Sequence, residues 1–427
     1  MIASIAIFAI CYALIMSDKF NQTTIALLGA FLLIAFRILD YKTAMSHVDG
    51  SVLFLLAGMM IMVGITAKTG VFQWLAIKSA KAVKGNPLHI LWIYAIITAV
   101  ISAFLDNVTT LILIVPVTLT FTKLMKLDPF PFLFCEVFAS NMGGTATLIG
   151  DPPNILIGSY FKLSFVNFVT HVAICIAICM LAFLIIATLV FKKSLKATAE
   201  DRANLEEVDD KGIITKPAML RQCLVILGIV IIGFFAHSTI DIEPAVVAML
   251  GATLMMLITG ENVREALQKV EWETIFFFIG LFVMVGALVE TGFIKILSSR
   301  LLAATKGDPA VTTSVILWMS AGLSAIINNI PFVATMLPLL KDLNASISAC
   351  TANGMVNNPL IWALSLGTCL GGNGTIIGAS ANVVAFAMAK REGTEVSFMK
   401  YLVYGLPMMI LSIIVCHVYL HVRFLGH

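Results

Sequence analysis

The chain has 427 residues, 60% of them hydrophobic and 12% charged, with a formal net charge of +3. A soluble globular domain carries about twice that charged share, so the composition excludes one and requires an all-α protein of many membrane spans. No basic stripe supports nucleic-acid binding, and the eight cysteines form no CxxC pair that would announce a zinc or redox framework.

Apolar runs near 3–16, 23–39 and 52–67 read as the first three spans. The first has no basic region ahead of it, so it reads as a span rather than a cleaved signal. In 70–84, Trp74, Leu75 and Ile77 oppose Lys78, Lys81 and Lys84, the pattern of a helix lying in the interface. Two apolar arms follow, 88–105 and 108–122, separated by Asp106-Asn107.

The next apolar segment, 130–158, is interrupted by Gly143, Gly144, Gly150 and the Pro152-Pro153 pair. It also carries Asn141, Thr145, Thr147, Asp151 and Asn154. Two prolines remove two N–H donors, so a continuous helix is excluded. Lipid cannot satisfy the freed backbone groups, so the break must face protein or water. Broken helices of this kind form the substrate and ion sites of secondary transporters. A long span near 164–191 follows, on which Cys175 and Cys179 share one helix face and read as small apolar fillers. Residues 192–218 are a hydrophilic linker of mixed charge, predicted to be cytoplasmic.

The second half repeats the first, with apolar segments at 219–236, 244–259 and 274–289 and an amphipathic 293–304. Arms at 310–327 and 330–340, a broken segment 355–389 and a last span 401–422 complete it. A shift of 222 places Gly29 on Gly251, Gly58 on Gly280, Gly70 on Gly292, Asn107 on Asn329 and Pro116 on Pro338. Beyond six inserted residues the shift is 228, and Gly143-Gly144 fall on Gly371-Gly372, Thr147 on Thr375 and Asn154 on Asn382.

The chain therefore divides into repeats 1–191 and 219–427, each with three spans, a re-entrant hairpin, a discontinuous helix and a final span. An odd number of crossings per half makes the repeats inverted. With the linker inside, nineteen of the 27 Lys and Arg lie on the cytoplasmic side. This predicts both termini outside, in a cell inner (plasma) membrane protein.

The two hairpin tips and the two breaks are expected to meet near the bilayer midplane. Their hydroxyls, amides and freed carbonyls can replace a hydration shell. Asn107 and Asn329 are equally suited to capping a half-helix. The acids are one-sided: Asp106 matches Asn328, and Asp151 matches Ala379. A buried carboxylate without a cation can carry a proton, so Asp106 and Asp151 are the candidate proton carriers. Glu136 is a second candidate relay. His171 and His237 read as interfacial, and Met59, Met60, Met62, Met255 and Met256 as packing or lipid-facing residues.

Asp106-Asn107-Val108-Thr109-Thr110, followed by Gly143-Gly144-Thr145-Ala146-Thr147-Leu148-Ile149-Gly150-Asp151-Pro152-Pro153-Asn154, resembles the ion transporter superfamily. The chain is most similar to its arsenite-permease and P-protein branch, which borders sodium/proton antiporters and citrate-type carriers. The resemblance implies a scaffold and a mobile transport domain, an elevator-like movement and a homodimer. It places cargo or ion contacts on Asp106, Asn107, Thr109, Thr145, Thr147, Asp151 and Asn154, and on Asn328, Asn329, Asn373, Thr375 and Asn382; Asn141 joins them from its place in the break. The carboxylate carriers read Ser-Asn-Thr at the tips, where this chain reads Asp-Asn-Val and Asn-Asn-Ile.

The leading expectation is proton-coupled efflux of arsenite or antimonite, whose hydroxides are uncharged at neutral pH and need amides and hydroxyls rather than a cation. Na⁺/H⁺ antiport and carriage of a small organic anion are the alternatives. No cofactor is expected beyond the coupling ion, H⁺ or Na⁺. Partners would be membrane lipid, a small inorganic substrate, a second copy and, for a metalloid pump, an ATPase subunit. No nucleophile triad, phosphate loop or HExxH pair points to an enzyme.

Overall fold

The computed structural model describes residues 1–16, 19–195, 197–198, 212–347 and 354–426, so most of the expected linker lies outside the described residues. The first half comprises α1 (Ile2–Met16), α2 (Gln22–Ala35), α3 (Tyr41–Ser46), α4 (Gly50–Ala67), α5 (Val71–Ala82), α6 (Pro87–Ser102), α7 (Asn107–Leu124), α8 (Phe130–Thr145), α9 (Pro152–Phe161), α10 (Phe165–His171) and α11 (Ala173–Phe191). The second comprises α12 (Pro217–Ala236), α13 (Pro244–Thr259), α14 (Val263–Leu267), α15 (Trp272–Glu290), α16 (Phe293–Thr305), α17 (Pro309–Ser324), α18 (Asn329–Ser346), α19 (Pro359–Gly371), α20 (Ser380–Arg391) and α21 (Phe398–Leu420). No strand occurs among the described residues. Six helices there are long and apolar enough to cross a membrane.

The helix starts recur with the sequence repeat. Asn86 caps α6, and Asp308, its equivalent at a shift of 222, caps α17; each accepts from a backbone N–H of the first turn. Gly70 and Gly292, at φ 81° and 77°, turn the chain from a span into the amphipathic helix that follows. The change of shift from 222 to 228 falls in the connection between α18 and α19, which is longer than that between α7 and α8.

The halves also exchange contacts. A Cβ on Gly58 of α4 would lie 2.8 Å from the Ala248 carbonyl carbon of α13, and one on Gly280 of α15 would lie 2.6 Å from that of Ala26 in α2. Both contacts relate residues that the shift of 222 makes equivalent, so the halves meet twice through the same pair of positions. The absence of a side chain lets these helices cross at backbone distance. One bundle is built on these crossings from α1, α2, α4, α12, α13 and α15. A second contains α6 to α9 and α17 to α20, flanked by α11 and α21.

Some sequence expectations need correction. The single span expected near 164–191 is divided at Val172 into α10 and α11. A capping box between Ser164 and Asn167 starts α10, and Phe165 N–H donates to His237 Nε2, which fixes its entry. The short helices α3 and α14 had no expected counterpart, although Asp40 and Asn262 cap them. The methionine reading needs no correction: Met59, Met60, Met62 and Met255 are buried packing residues, and Met256 is half-buried.

Candidate functional site

Helix α8 stops at Thr145, and α9 begins at Pro152. Pro152 and Pro153 occupy the first turn of α9, where missing N–H groups cost nothing. In the second half α19 stops at Gly371, and the chain passes through two short 3₁₀ turns before α20. Both segments expected to be broken are broken.

The polar side chains at each break satisfy the carbonyls that unwinding frees. Asn154 Nδ2 donates to the carbonyls of Thr145 and Thr147, both at 2.9 Å. Asn382 Nδ2 donates to those of Gly372 and Thr375, at 2.8 and 2.9 Å. Each break is also tied to the hairpin of its own half. Thr147 Oγ1 donates to Ala103 O and Thr375 Oγ1 to Ala325 O, each at 2.5 Å. Glycine permits this approach: a Cβ on Gly150 would lie 2.4 Å from Ser102 O.

Asn141 joins the halves. Its Nδ2 donates to Asn373 Oδ1 at 2.8 Å and to Asn382 Oδ1 at 2.9 Å. Its Oδ1 lies 3.1 Å from the Asn107 amide. Two orientations of that amide are open. One donates to Asn141 Oδ1; the other donates to the carbonyls of Ser140 and Gly150, each 3.1 Å away, and turns its oxygen toward Asn141 Oδ1. Asn373 Nδ2 is buried without a hydrogen-bond partner, a donor left available at the centre of the network.

Asp151 is 1% exposed and faces the Cys369 thiol and the Asn107 amide. Asp106 is half-buried at the hairpin tip and caps α7, accepting from Thr109 N–H at 3.0 Å. Thr109 thus contributes its backbone. Asn328 caps α18 and donates to Ser380 Oγ at 3.0 Å, while Asn329 is buried beside it. Glu136 is fully buried on α8, accepts from Thr118 Oγ1 with one oxygen, and has no partner for the other.

The structure therefore gathers Asn107, Asn141, Thr145, Thr147, Asp151, Asn154, Asn373, Thr375 and Asn382 in one buried cluster. Asp106, Thr109, Asn328 and Asn329 lie at the starts of the returning hairpin arms. Sequence reading missed Ser365 and Cys369, which donate to Asn154 Oδ1 at 2.7 and 3.6 Å. The repeat carried a signal for Cys369, since a shift of 228 places Asn141 on it. None of these site residues is a Lys or Arg. Two cavities, of about 940 and 530 Å³, lie between the two bundles at the end carrying Lys162, the smaller reaching Leu148 in the first break.

A multi-pass helical protein with two paired hairpins and two interrupted helices around a buried polar cluster is a membrane transporter. The chain belongs to the citrate transporter (CitMHS) family, whose profile matches residues 12–367. It is 40% identical over 427 residues to an uncharacterized transporter of Mycobacterium bovis, covering 99% of this chain and 98% of that protein. It is 33% identical over 497 residues to the human P protein, covering 97% of this chain and 59% of the P protein. The resemblance seen in the motifs is thus borne out. Among solved structures, the fold matches the YdaH transporter of Alcanivorax borkumensis at a TM-score of 0.63 and 13% identity, covering 92% of this chain and 88% of that one. It matches MtrF of Neisseria gonorrhoeae, described as one of a class of antimetabolite efflux pumps, at 0.64 and 12%, covering 92% and 84%. At these identities the likeness concerns the fold.

Proposed function

We propose that the chain is a proton-coupled secondary transporter that exports arsenite or antimonite from the cell across the plasma membrane. The observation that carries this reading is Asp151, buried among amides, hydroxyls and a thiol, with no Lys or Arg among the site residues. Such a site suits an uncharged polyhydroxide and a carboxyl that gains and loses a proton. A citrate-like anion would lack a fixed counter-charge in the cluster at the breaks, since Lys162 and Lys341 line the cavities and are not among its residues. The two repeats, 1–191 and 219–427, would be inverted about an axis in the membrane plane, with both termini outside and the linker inside. The reciprocal crossings of α4 on α13 and α15 on α2 support that relation. The bundle of hairpins and broken helices would move as an elevator against the other, and the cavities between them support an outward-open arrangement.

The test is arsenite flux in liposomes under an imposed pH gradient. Flux should follow the gradient and be lost in Asp151→Asn. Gradient-independent flux, or normal flux in that variant, would overturn the reading.

Na⁺/H⁺ antiport is the second reading: the Asn107 and Asn141 amides lie in the same buried cluster as the Asp151 carboxyl, and amide and carboxylate oxygens suit a hard cation. Sodium-driven proton movement in the same liposomes, without arsenite, would select this alternative.

A further inference from the structure

Cys175 and Cys179 lie one turn apart on α11, and Cys416 faces them from α21. The Cys416 sulfur is 3.6 Å from that of Cys175 and 4.0 Å from that of Cys179, and all three lie within 4.8 Å of one another. Each is 0–1% exposed. Two cysteines on one helix face are accounted for as small apolar packing residues. A third thiol, brought from another helix to the same point, calls for a different account.

Sulfur–metal bonds of about 2.3 Å hold three sulfurs on one centre up to about 4 Å apart; the two distances to Cys416 meet this, and the third, within 4.8 Å, needs only a small side-chain adjustment. Charge then selects the ion. Beside one another, the thiols meet the Tyr419 phenol and the Ser412 carbonyl, which Cys179 faces at 3.7 Å, and neither group is cationic. Arg423 is engaged by the Tyr419 hydroxyl at 2.8 Å. Three thiolates around a monovalent or divalent ion leave net negative charge in an apolar site, which is costly without a counter-ion. Around a trivalent ion they leave none.

We propose that Cys175, Cys179 and Cys416 form a three-thiolate binding site for a trivalent thiophilic ion, As(III) or Sb(III), separate from the polar cluster at the breaks. As(OH)₃ exchanges each As–O bond for an As–S bond. Each thiol proton leaves with the displaced hydroxide as water, so three waters are released, no electron moves and the product is neutral. Occupancy staples α11 to α21, the final spans of the two halves. The site does not depend on the transport reading, because its readout is binding.

The experiment titrates the purified full-length protein with arsenite and reads arsenic coordination by X-ray absorption. One tightly bound arsenic per chain, with three sulfur neighbours, is expected. Cys416→Ser should reduce the sulfur neighbours to two and weaken binding by about tenfold or more. Cys223→Ser, a buried thiol on α12, should change neither. If Cys416→Ser is poorly folded in a thermal melt, Cys179→Ser replaces it, with the same expectation. Arsenic that keeps oxygen ligands, or unchanged binding in a folded variant, overturns the site. A Cys175–Cys416 disulfide in the untreated protein overturns it as well. Loss of binding with persisting flux leaves the transport reading standing, whereas binding without flux removes that reading alone.

Discussion

In the first break Thr147 bonds Ala103 O, and Asn154 spans the carbonyls of Thr145 and Thr147; in the second, Thr375 bonds Ala325 O, and Asn382 spans those of Gly372 and Thr375. The residues shared by the repeats therefore hold the unwound backbone. The unshared ones are where the two breaks differ chemically. Asp151-Pro152-Pro153 stands opposite Ala379-Ser380-Ala381, and Asn141 stands opposite Cys369. Asn382 Oδ1 receives the Asn141 amide at 2.9 Å, whereas Asn154 Oδ1 receives the Cys369 thiol at 3.6 Å. A common frame thus carries an acid on one side only.

The harshest way to break the comparison is steric. A Cβ on Gly143 would lie 2.0 Å from Ala99 O, and one on Gly371 would lie 2.6 Å from Ala321 O. Overpacking costs about 1–3 kcal/mol, and more where backbone must yield. Gly143→Val should abolish the folded, monodisperse protein, and Gly371→Val should lower its melting temperature by less. A Gly143→Val protein that melts like the wild type would remove the close approach from the account.

Next in size is the one-sided acid. Asp151→Asn should lower flux on the order of tenfold or more while leaving the melt unchanged. Adding Ala379→Asp should not restore flux, because the opposite break lacks the Pro-Pro start and the facing thiol. Full rescue would show that only net charge matters. The shared asparagines should act on stability instead. Asn154→Ala and Asn382→Ala each leave two break carbonyls without their donor, a loss of about 1–3 kcal/mol. Asn154→Ala also strips the acceptor from Ser365 and Cys369, whereas Asn141 keeps Asn373 as an acceptor in Asn382→Ala, so Asn154→Ala should cost at least as much. A double-mutant cycle between Asn141 and Asn382 that returns no coupling would deny the junction between halves.

The breaks, the hairpins and their pairing were legible in sequence because Gly, Pro and Asn punctuate apolar runs in register. Thr147 and Thr375 could be matched before their identical bonds were seen. Less legible was what depends on packing across the halves. Cys369 and Ser365 lack any local polar pattern, and their contact with Asn154 exists only once α19 lies beside the first break. Asp106 showed the converse: its spacing to Thr109 fits a helix cap as well as an ion ligand, and in the structure it caps. The division at Val172 has no local signal, and the bond that fixes the start of α10 comes from His237, far away in the chain.

The smallest effect is expected at the ends of α4 and α15, where the shift of 222 places Lys68 on Glu290. Lys68 pairs with Glu261 and with Glu265 at 2.7 Å, while Glu290 pairs with His47 at 3.2 Å. Hydrogen bonding to Glu261, then to Glu265, raises the Lys68 pKa, so its contribution is present below the ordinary lysine range and is lost as pH rises through the raised value. Hydrogen bonding to Lys68 lowers the Glu265 pKa, so that contribution is present above the ordinary carboxylate range and is lost as pH falls through the lowered value. The clamp therefore acts from mildly acidic to alkaline pH. The melting difference between wild type and Lys68→Met should be small, since Lys68 and Glu261 are only partly buried and Glu265 is exposed, and it should shrink in high salt and close at acid pH. A difference that grows on acidification would mean that Lys68 acts by something other than its two carboxylates.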